Sequence, residues 1–328
     1  MPINCADHPF LTVVIATLGQ SEHLRECVQS VLNQGCEGLE IIVVRSGSPA
    51  AQFPELEGLP VRVIGQARLG VSRARNAAIP HARGEVLAFL DDDVRAEPRW
   101  AHAVAQGFTD PLVYCVAGRV APEGAGYMPV ERYTSPRIMA RWFISREQAD
   151  WIRQAISVDT GFGCNMAFRR SFLEEVSFPE HFGSGSKIGA ADEPYMFFQV
   201  VRRGFTLLHA PDAVVTHFFG DNAERSRERV GRIHSGNIAF HLKMIADFPG
   251  QRMAFLRELL RRGFRAMRHT ANDSRPAAMS GFTLKEKLRI LVEGCCLFWN
   301  VQYGKDKRPC FASPKAHSPQ AAGDDTRP

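Results

Sequence analysis

"EVLAFLDDDV" occupies Glu85–Val94. Glu85 to Leu90 form a short apolar run that reads as a buried strand. Asp91, Asp92 and Asp93 follow directly. Like charges side by side repel, and nothing about a strand end asks for three of them. Crowded carboxylates need a cation, or else a raised pKa on one of them. A hard divalent ion such as Mn2+ or Mg2+ prefers oxygen ligands, and is often held by one or two carboxylates together with substrate phosphates. A D-x-D at a strand end therefore reads as a metal–diphosphate site. The alternative is a solvated acidic loop, or a helix cap ahead of Glu97–Trp100.

The segments upstream repeat one alternation. "LTVVIA" (Leu11–Ala16), "LEIIVV" (Leu39–Val44) and "VRVI" (Val61–Ile64) are further β-branched apolar runs. Between the first two, Leu24, Cys27, Val28, Val31 and Leu32 fall at helical spacing, with Ser21 as candidate cap and Gly35 as the stop. "GVSRARNAAIPHARG" predicts a helix opening near Ser72 and broken around Pro80. Strands alternating with helices predict an α/β fold: a doubly wound, mostly parallel sheet flanked by helices. Ligands bind at the carboxyl ends of such strands. That rule sets Ala16, Thr17, Arg45, Ser46 and the three aspartates on one rim.

The whole chain has 328 residues, 45% of them hydrophobic and 23% charged, which is globular composition with length for a sizeable core. The net charge of +5 suits anionic partners without choosing among them, and part of the excess is concentrated in "RRGFRAMRH" (Arg261–His269). None of the eight cysteines forms a C-x-x-C pair, so the spacing of a zinc site is absent. With no basic n-region or apolar h-region at the start, reduced cytosolic thiols are the expectation. No apolar run approaches the roughly 18–20 residues of a membrane span.

Beyond about residue 110 the pattern changes. "LVYCVAGRV" predicts a strand, "GYMPVERYTSPRIMARWF" is irregular and aromatic, and "CNMAFRRSFLEEV" predicts a short strand and helix. "PYMFFQVVRRG" reads as a helix and "DAVVTH" as a strand ending at His217. From about Glu224 the chain is helical and basic. Leu284–Lys305 is apolar over much of its surface, with lysines at both ends and Trp299 and Tyr303 near one end. Such a helix packs on the domain, makes a dimer contact, or lies in a bilayer interface. The tail from Arg308 has a disordered composition.

The order "VVIATLGQSEHLRECVQSVLNQ", "EIIVVRSGSP", "GVSRARNAAIPHARGEVLAFLDDDV", "GCNMAFRRSFLEEV", "ADEPYMFFQVVRRGFTLLHAPDAVVTH" resembles the family-2 glycosyltransferases, which have the GT-A fold. The likeness covers roughly residues 10 to 245. It implies transfer of a sugar, with inversion, from a nucleotide-diphosphate donor to an acceptor hydroxyl. Asp93 is then the direct ligand of Mn2+ or Mg2+, with Asp91 or Asp92 reaching the ribose or the metal waters. His217 completes the metal site or contacts the diphosphate, although a histidine after an apolar run is commonly structural. Asp192 and Glu193 are the candidates for the general base. Counting back from Gly204 favours Glu193 and residue type favours Asp192, which we take first; both could instead cap the following helix. Arg73, Arg75 and Asn76 are candidates for the nucleotide, against a solvated helix face. Asn165 resembles a position on the acceptor side, against a turn asparagine.

The resemblance sets the domains as 1–245 for the GT-A unit (10–110 nucleotide-sugar half, 111–220 acceptor half), 246–307 for a helical extension, and 308–328 for the tail. The expected partners are a nucleotide sugar, UDP-linked first, and a saccharide or lipid-linked acceptor. A peripheral contact at the cytoplasmic membrane face is expected, and no nucleic acid. One departure stands out. Where the family commonly carries an acid after the second strand, this chain has Arg45 and Ser46. Ser46 accepts a bond from the base more weakly, or Arg45 favours a base offering acceptors. The same departure is the best argument for an inactive GT-A-fold binding protein. A nucleotidyltransferase is disfavoured because "ATLGQSEH" lacks a Gly-rich basic loop.

Overall fold

The computed structural model describes residues 11–36, 38–49, 52–123, 133–157, 159–219, 223–268 and 282–304. The tail assigned to disorder lies outside them, as do parts of the aromatic segment and of the basic patch. Nine strands form one sheet: β1 (Leu11–Thr17), β2 (Glu40–Ser46), β3 (Arg62–Gln66), β4 (Val86–Asp91), β5 (Val94–Ala96), β6 (Val113–Glu123), β7 (Trp142–Ile144), β8 (Asn165–Arg169) and β9 (Thr206–Phe218). Their order is β3-β2-β1-β4-β8-β6-β9-β5, with β7 also on β9. The first four strands are parallel, as their alternation with helices requires. The second half is mixed. β8 runs antiparallel to both β4 and β6, and β5 and β7 run antiparallel to β9.

Two layers of helices cover the sheet. α1 (Leu24–Leu32) and α3 (Trp100–Gly107) bury their apolar stripes on one face, in a core with Val13, Ile15, Leu90 and Val215. α2 (Val71–Ala78) covers the other face together with the helices that follow β8. Those are α6 (Arg170–Glu175) and α7 (Asp192–Arg202), after the short α4 (Pro136–Met139) and α5 (Trp151–Ala155). Strand β4 is apolar on both sides for this reason: Val86 to Leu90 are all at 0% exposure.

A third apolar cluster joins α5 and α7 to the C-terminal helices. These are α8 (Ala223–Asp247), α9 (Arg252–Arg268) and α10 (Leu284–Tyr303). Phe182, Phe198, Phe240 and Phe255 meet there. Helix α8 runs past residue 245, so the helical part packs as one unit from α8 onward. Helix α10 starts with a capping box between Thr283 and Glu286 and ends at Gly304 in the left-handed region. It docks on α8 through Gly294, where any Cβ would meet Ile238 at 2.6 Å.

Candidate active site

The rim is built by strand register. Ala16 pairs with Asp91 across β1 and β4, and Thr17 with Arg45 across β1 and β2. Leu90 pairs with Asn165, which sets Cys164 beside the end of β4. After the turn at Asp92 and Asp93, the short β5 pairs Val94 with His217. The Phe218 amide donates to the Asp93 carbonyl at 2.9 Å, so His217, next to last in β9, meets the third aspartate.

The three aspartates face different partners. Thr17 Oγ1 donates to Asp92 Oδ2, and Ser21 Oγ donates to the Asp92 carbonyl at 3.1 Å. Asp91 Oδ1 accepts from Arg75 Nη2 at 3.1 Å. Asp93 Oδ1 lies 3.5 Å from His217 Nε2, and is buried with no hydrogen bond reaching it. Burial, with Asp91 alongside, pushes the Asp93 carboxyl up to about 7. Burial, partly offset by the Thr17 bond and reinforced by Asp93 and Asp91, pushes Asp92 to about 6. Burial also takes His217 down to about 4, so its imidazole is neutral and able to ligate. Its ring stacks on Phe219 at 4.1 Å. An unsatisfied buried carboxylate oxygen, a second carboxylate and a neutral imidazole fit a divalent cation such as Mn2+ or Mg2+.

The second acidic group approaches from α7. Asp192 and Glu193 occupy its first turn, where the helix dipole favours negative charge. Neither is the cap. That position belongs to Ala191, at φ 72°, a left-handed conformation that costs a non-glycine residue about 1 kcal/mol. Arg75, 2% exposed, joins the two acidic groups. Its Nη1 donates to Asp192 Oδ2, and its Nη2 donates to Asp91 Oδ1 and to the Gly163 carbonyl at 2.8 Å. Burial works against the Arg75 charge, but Asp192 and then Asp91 outweigh it and the guanidinium is held above its ordinary value. Glu193 remains partly exposed. Dense protein around its carboxyl, and then Asp192 next to it, raise it to about 8.

Three sequence candidates turn elsewhere. Ser46 Oγ is bonded to the backbone of Gly70, accepting from its N–H at 3.0 Å. Arg73 pairs with Glu180 at 2.9 Å and with the Leu69 carbonyl. Asn76 is bonded through both ends of its amide to the backbone of Phe178 at 2.8 Å. Of "GVSRARN", only Arg75 reaches the aspartates. Asn165 is a structural pin rather than an acceptor contact. Its Nδ2 donates to the carbonyls of Arg119 and Ala213, at the register shift between β6 and β9, and its Oδ1 accepts from Trp100 Nε1. Arg45 lies with its guanidinium 5.6 Å from the Phe53 ring centre, beside Gly19. Sequence reasoning missed Cys164. Its position directly before Asn165, at the start of a strand adjoining "FLDDDV", was the available signal.

A mixed sheet with an acidic turn at its central rim, and a second acidic pair on a helix over that rim, defines the GT-A class of nucleotide-sugar-dependent folds. The sequence profile of "Glycosyl transferase family 2" matches residues 12–177, and the chain belongs to that family. It is 26% identical over 181 residues to the putative glycosyltransferase EpsH of Bacillus subtilis, covering 52% of this chain and 51% of that one. It is 25% identical over 223 residues to a glucosyl-dolichyl phosphate glucuronosyltransferase of Haloferax volcanii, covering 63% of this chain and 68% of that one. Thus the first match spans only about half of that relative's length. Among solved structures, a mannosyltransferase from Pyrobaculum calidifontis in complex with GDP-Man and Mn2+ has TM-score 0.58 at 17% identity, covering 92% of this chain and 90% of that one. S. aureus TarS with UDP-GlcNAc has TM-score 0.55 at 14% identity, covering 88% and 80%.

Proposed function

We propose that the protein transfers a glycosyl group, with inversion, from a nucleoside-diphosphate sugar to an acceptor hydroxyl, with the help of a divalent cation. The convergence of Asp91, Asp93 and His217 with the Asp192–Glu193 pair, bridged by Arg75, carries this reading. Asp91 and Asp93, with His217, are the residues that would hold the cation. When bound, it supplies Lewis-acid stabilisation of the departing diphosphate. Thr17 fixes the Asp92 carboxylate at the nucleotide side of the rim. Ala16 lines the rim through its backbone.

We assign the general base to Glu193 rather than Asp192. The Asp192 oxygen is engaged by a buried guanidinium, whereas Glu193 is partly exposed and its carboxyl is raised to about 8 by burial and then by Asp192. Its carboxylate takes the acceptor proton as the acceptor oxygen bonds to the anomeric carbon and the bond to the diphosphate breaks. Arg75 and Asp192 position the turn that carries Glu193. UDP and GDP sugars are the first donors to test, because the similar structures carry them. A donor panel measured with Mn2+ and with chelator tests the whole reading. Donor turnover that needs the cation and vanishes in Asp93→Ala is expected. No binding to any donor, or full activity in that variant, refutes it.

The C-terminal helices carry a surface suited to anionic lipid. Met253, Leu256, Leu260 and Phe264 form an exposed stripe on α9, and Leu284, Leu288, Leu291, Trp299 and Tyr303 form one on α10. Among the described side chains of these helices, the most exposed charges are basic: Arg252, Arg257, Arg265, Lys285 and Arg289, the last also paired with Glu293. Apolar stripes flanked by cations match a bilayer interface with anionic headgroups. Among the described residues, no helix is long and apolar enough to cross a membrane. The proposed contact is therefore peripheral.

A further inference from the structure

Asp91, Cys164 and His217 each offer one ligand atom, and these atoms lie within 4.8 Å of one another. The sheet brings them together. The β4–β8 ladder sets Cys164 beside Asp91, and the β5–β9 ladder brings in His217. Cys164 and His217 are each 5% exposed, and His217 Nδ1 is buried without a hydrogen-bond partner. Cys164 has no part in the transfer reaction proposed above. A thiolate is a soft ligand, out of place in a site meant only for Mg2+ or Mn2+ and well matched to Zn2+. Zn2+ ligands stand about 2.0–2.3 Å from the ion, so they are separated by up to roughly 4 Å. Side-chain shifts of about 1 Å would close this set.

We propose that Cys164 is a metal ligand, and that with Asp91 and His217 it forms a carboxylate–thiolate–imidazole site for a thiophilic divalent ion such as Zn2+. This site shares Asp91 and His217 with the cation site of the transfer reaction and leaves out Asp93. The two kinds of ion therefore compete for one rim. Zn2+ binds without a nucleotide, because three protein ligands already surround it and the fourth position takes a water. On binding, the sulfur–hydrogen bond breaks, the proton passes to solvent, and the sulfur–metal bond forms with no change of oxidation state. The proposal rests on the assigned metal role of Asp91 but not on sugar transfer.

The test uses metal-free, full-length protein titrated with Co2+, a spectroscopic stand-in for Zn2+, in the absence of nucleotide. A thiolate-to-cobalt charge-transfer band in the near ultraviolet is expected, saturating with one proton released per ion. Cys164→Ser should remove the band. It should also weaken Zn2+ in chelator competition by more than the roughly 10–100-fold typical of changes behind the ligands. A Cys295→Ser/Cys296→Ser variant should keep both, which separates the site from the adjacent cysteines of α10. If Cys164→Ser does not fold, His217→Gln serves: it keeps the thiol and should lose Zn2+ affinity to the same degree. Wild-type protein with no band, or a band that persists in Cys164→Ser, overturns the proposal. Mn2+ binding in the presence of UDP, followed by electron paramagnetic resonance, tests the transfer reading separately and does not depend on the Co2+ result.

Discussion

Replacing Arg75 by methionine is the most direct probe of how the two acidic groups are joined. The guanidinium is 2% exposed, and its pair with Asp192 leaves that side chain only 7% exposed. Methionine fills most of the volume but carries no charge. The Asp192 carboxylate is then buried without a counter-ion, and the Gly163 carbonyl loses its donor. Breaking a buried pair by removing one partner costs about 3–5 kcal/mol. For a domain of this size each kcal/mol lowers Tm by about 2–4 °C, so Arg75→Met should melt roughly 10 °C lower than wild type. The surplus charge is the cause, so removing it should help. Arg75→Met/Asp192→Asn should recover more than half of the loss, and Asp192→Asn alone should cost less than Arg75→Met. Urea and thermal denaturation of the four proteins complete a double-mutant cycle. Arg75→Met within about 1 kcal/mol of wild type, or a double variant no more stable than Arg75→Met, would refute the reasoning.

Glu193→Gln should lower kcat by about 10²–10⁴-fold while leaving donor binding intact. Because the working base is the ionised form and its carboxyl sits at about 8, wild-type activity should climb with pH towards that value, and the residual activity of Glu193→Gln should not. In the metal-free protein, Asp93 and Asp92 hold protons up to about 7 and about 6, whereas the unfolded chain releases them near the ordinary 3.8. Between those values the folded state binds more protons, so stability should fall as pH rises. Mn2+ reverses the sign by replacing the protons. The rise in Tm that it causes should be small at about pH 5.5, larger at about pH 8, and absent in Asp93→Asn; a shift independent of pH counts against the carboxylate ligands. Full-length protein should float with anionic liposomes and not with neutral ones, and Leu260→Glu/Phe264→Glu/Trp299→Glu should stay in the bottom fraction. Equal flotation of that variant rules out the proposed face.

The four parallel strands and their helices are legible because each follows from a local pattern: an apolar β-branched run, then a helical stripe. The aspartate triplet is legible for a different reason, since three adjacent carboxylates conflict with elementary electrostatics unless something resolves it. The antiparallel entry of β8, β5 and β7 is not legible. Pairing partners are chosen by long-range packing, which leaves little trace in the periodicity of one strand. The same limit hides which polar residues face the site. Arg73, Arg75 and Asn76 look equivalent in "GVSRARN". Only the angle of α2 over the sheet sends Arg75 inward and the other two to Glu180 and Phe178. Asn165 reads as an acceptor-side position or a turn asparagine until the register shift between β6 and β9 presents the carbonyls of Arg119 and Ala213 to it.

The sequence alone therefore determined the class of fold, the acidic turn that ends β4 and the presence of a second acidic pair, because these are written in contiguous residues. Tertiary structure decided how they are connected. It placed Arg75 between Asp91 and Asp192, left Glu193 partly open to solvent, and set Cys164 beside Asp91 and His217. Those relations depend on strand register and helix orientation. Both are set by how the whole core packs, which contiguous residues do not show.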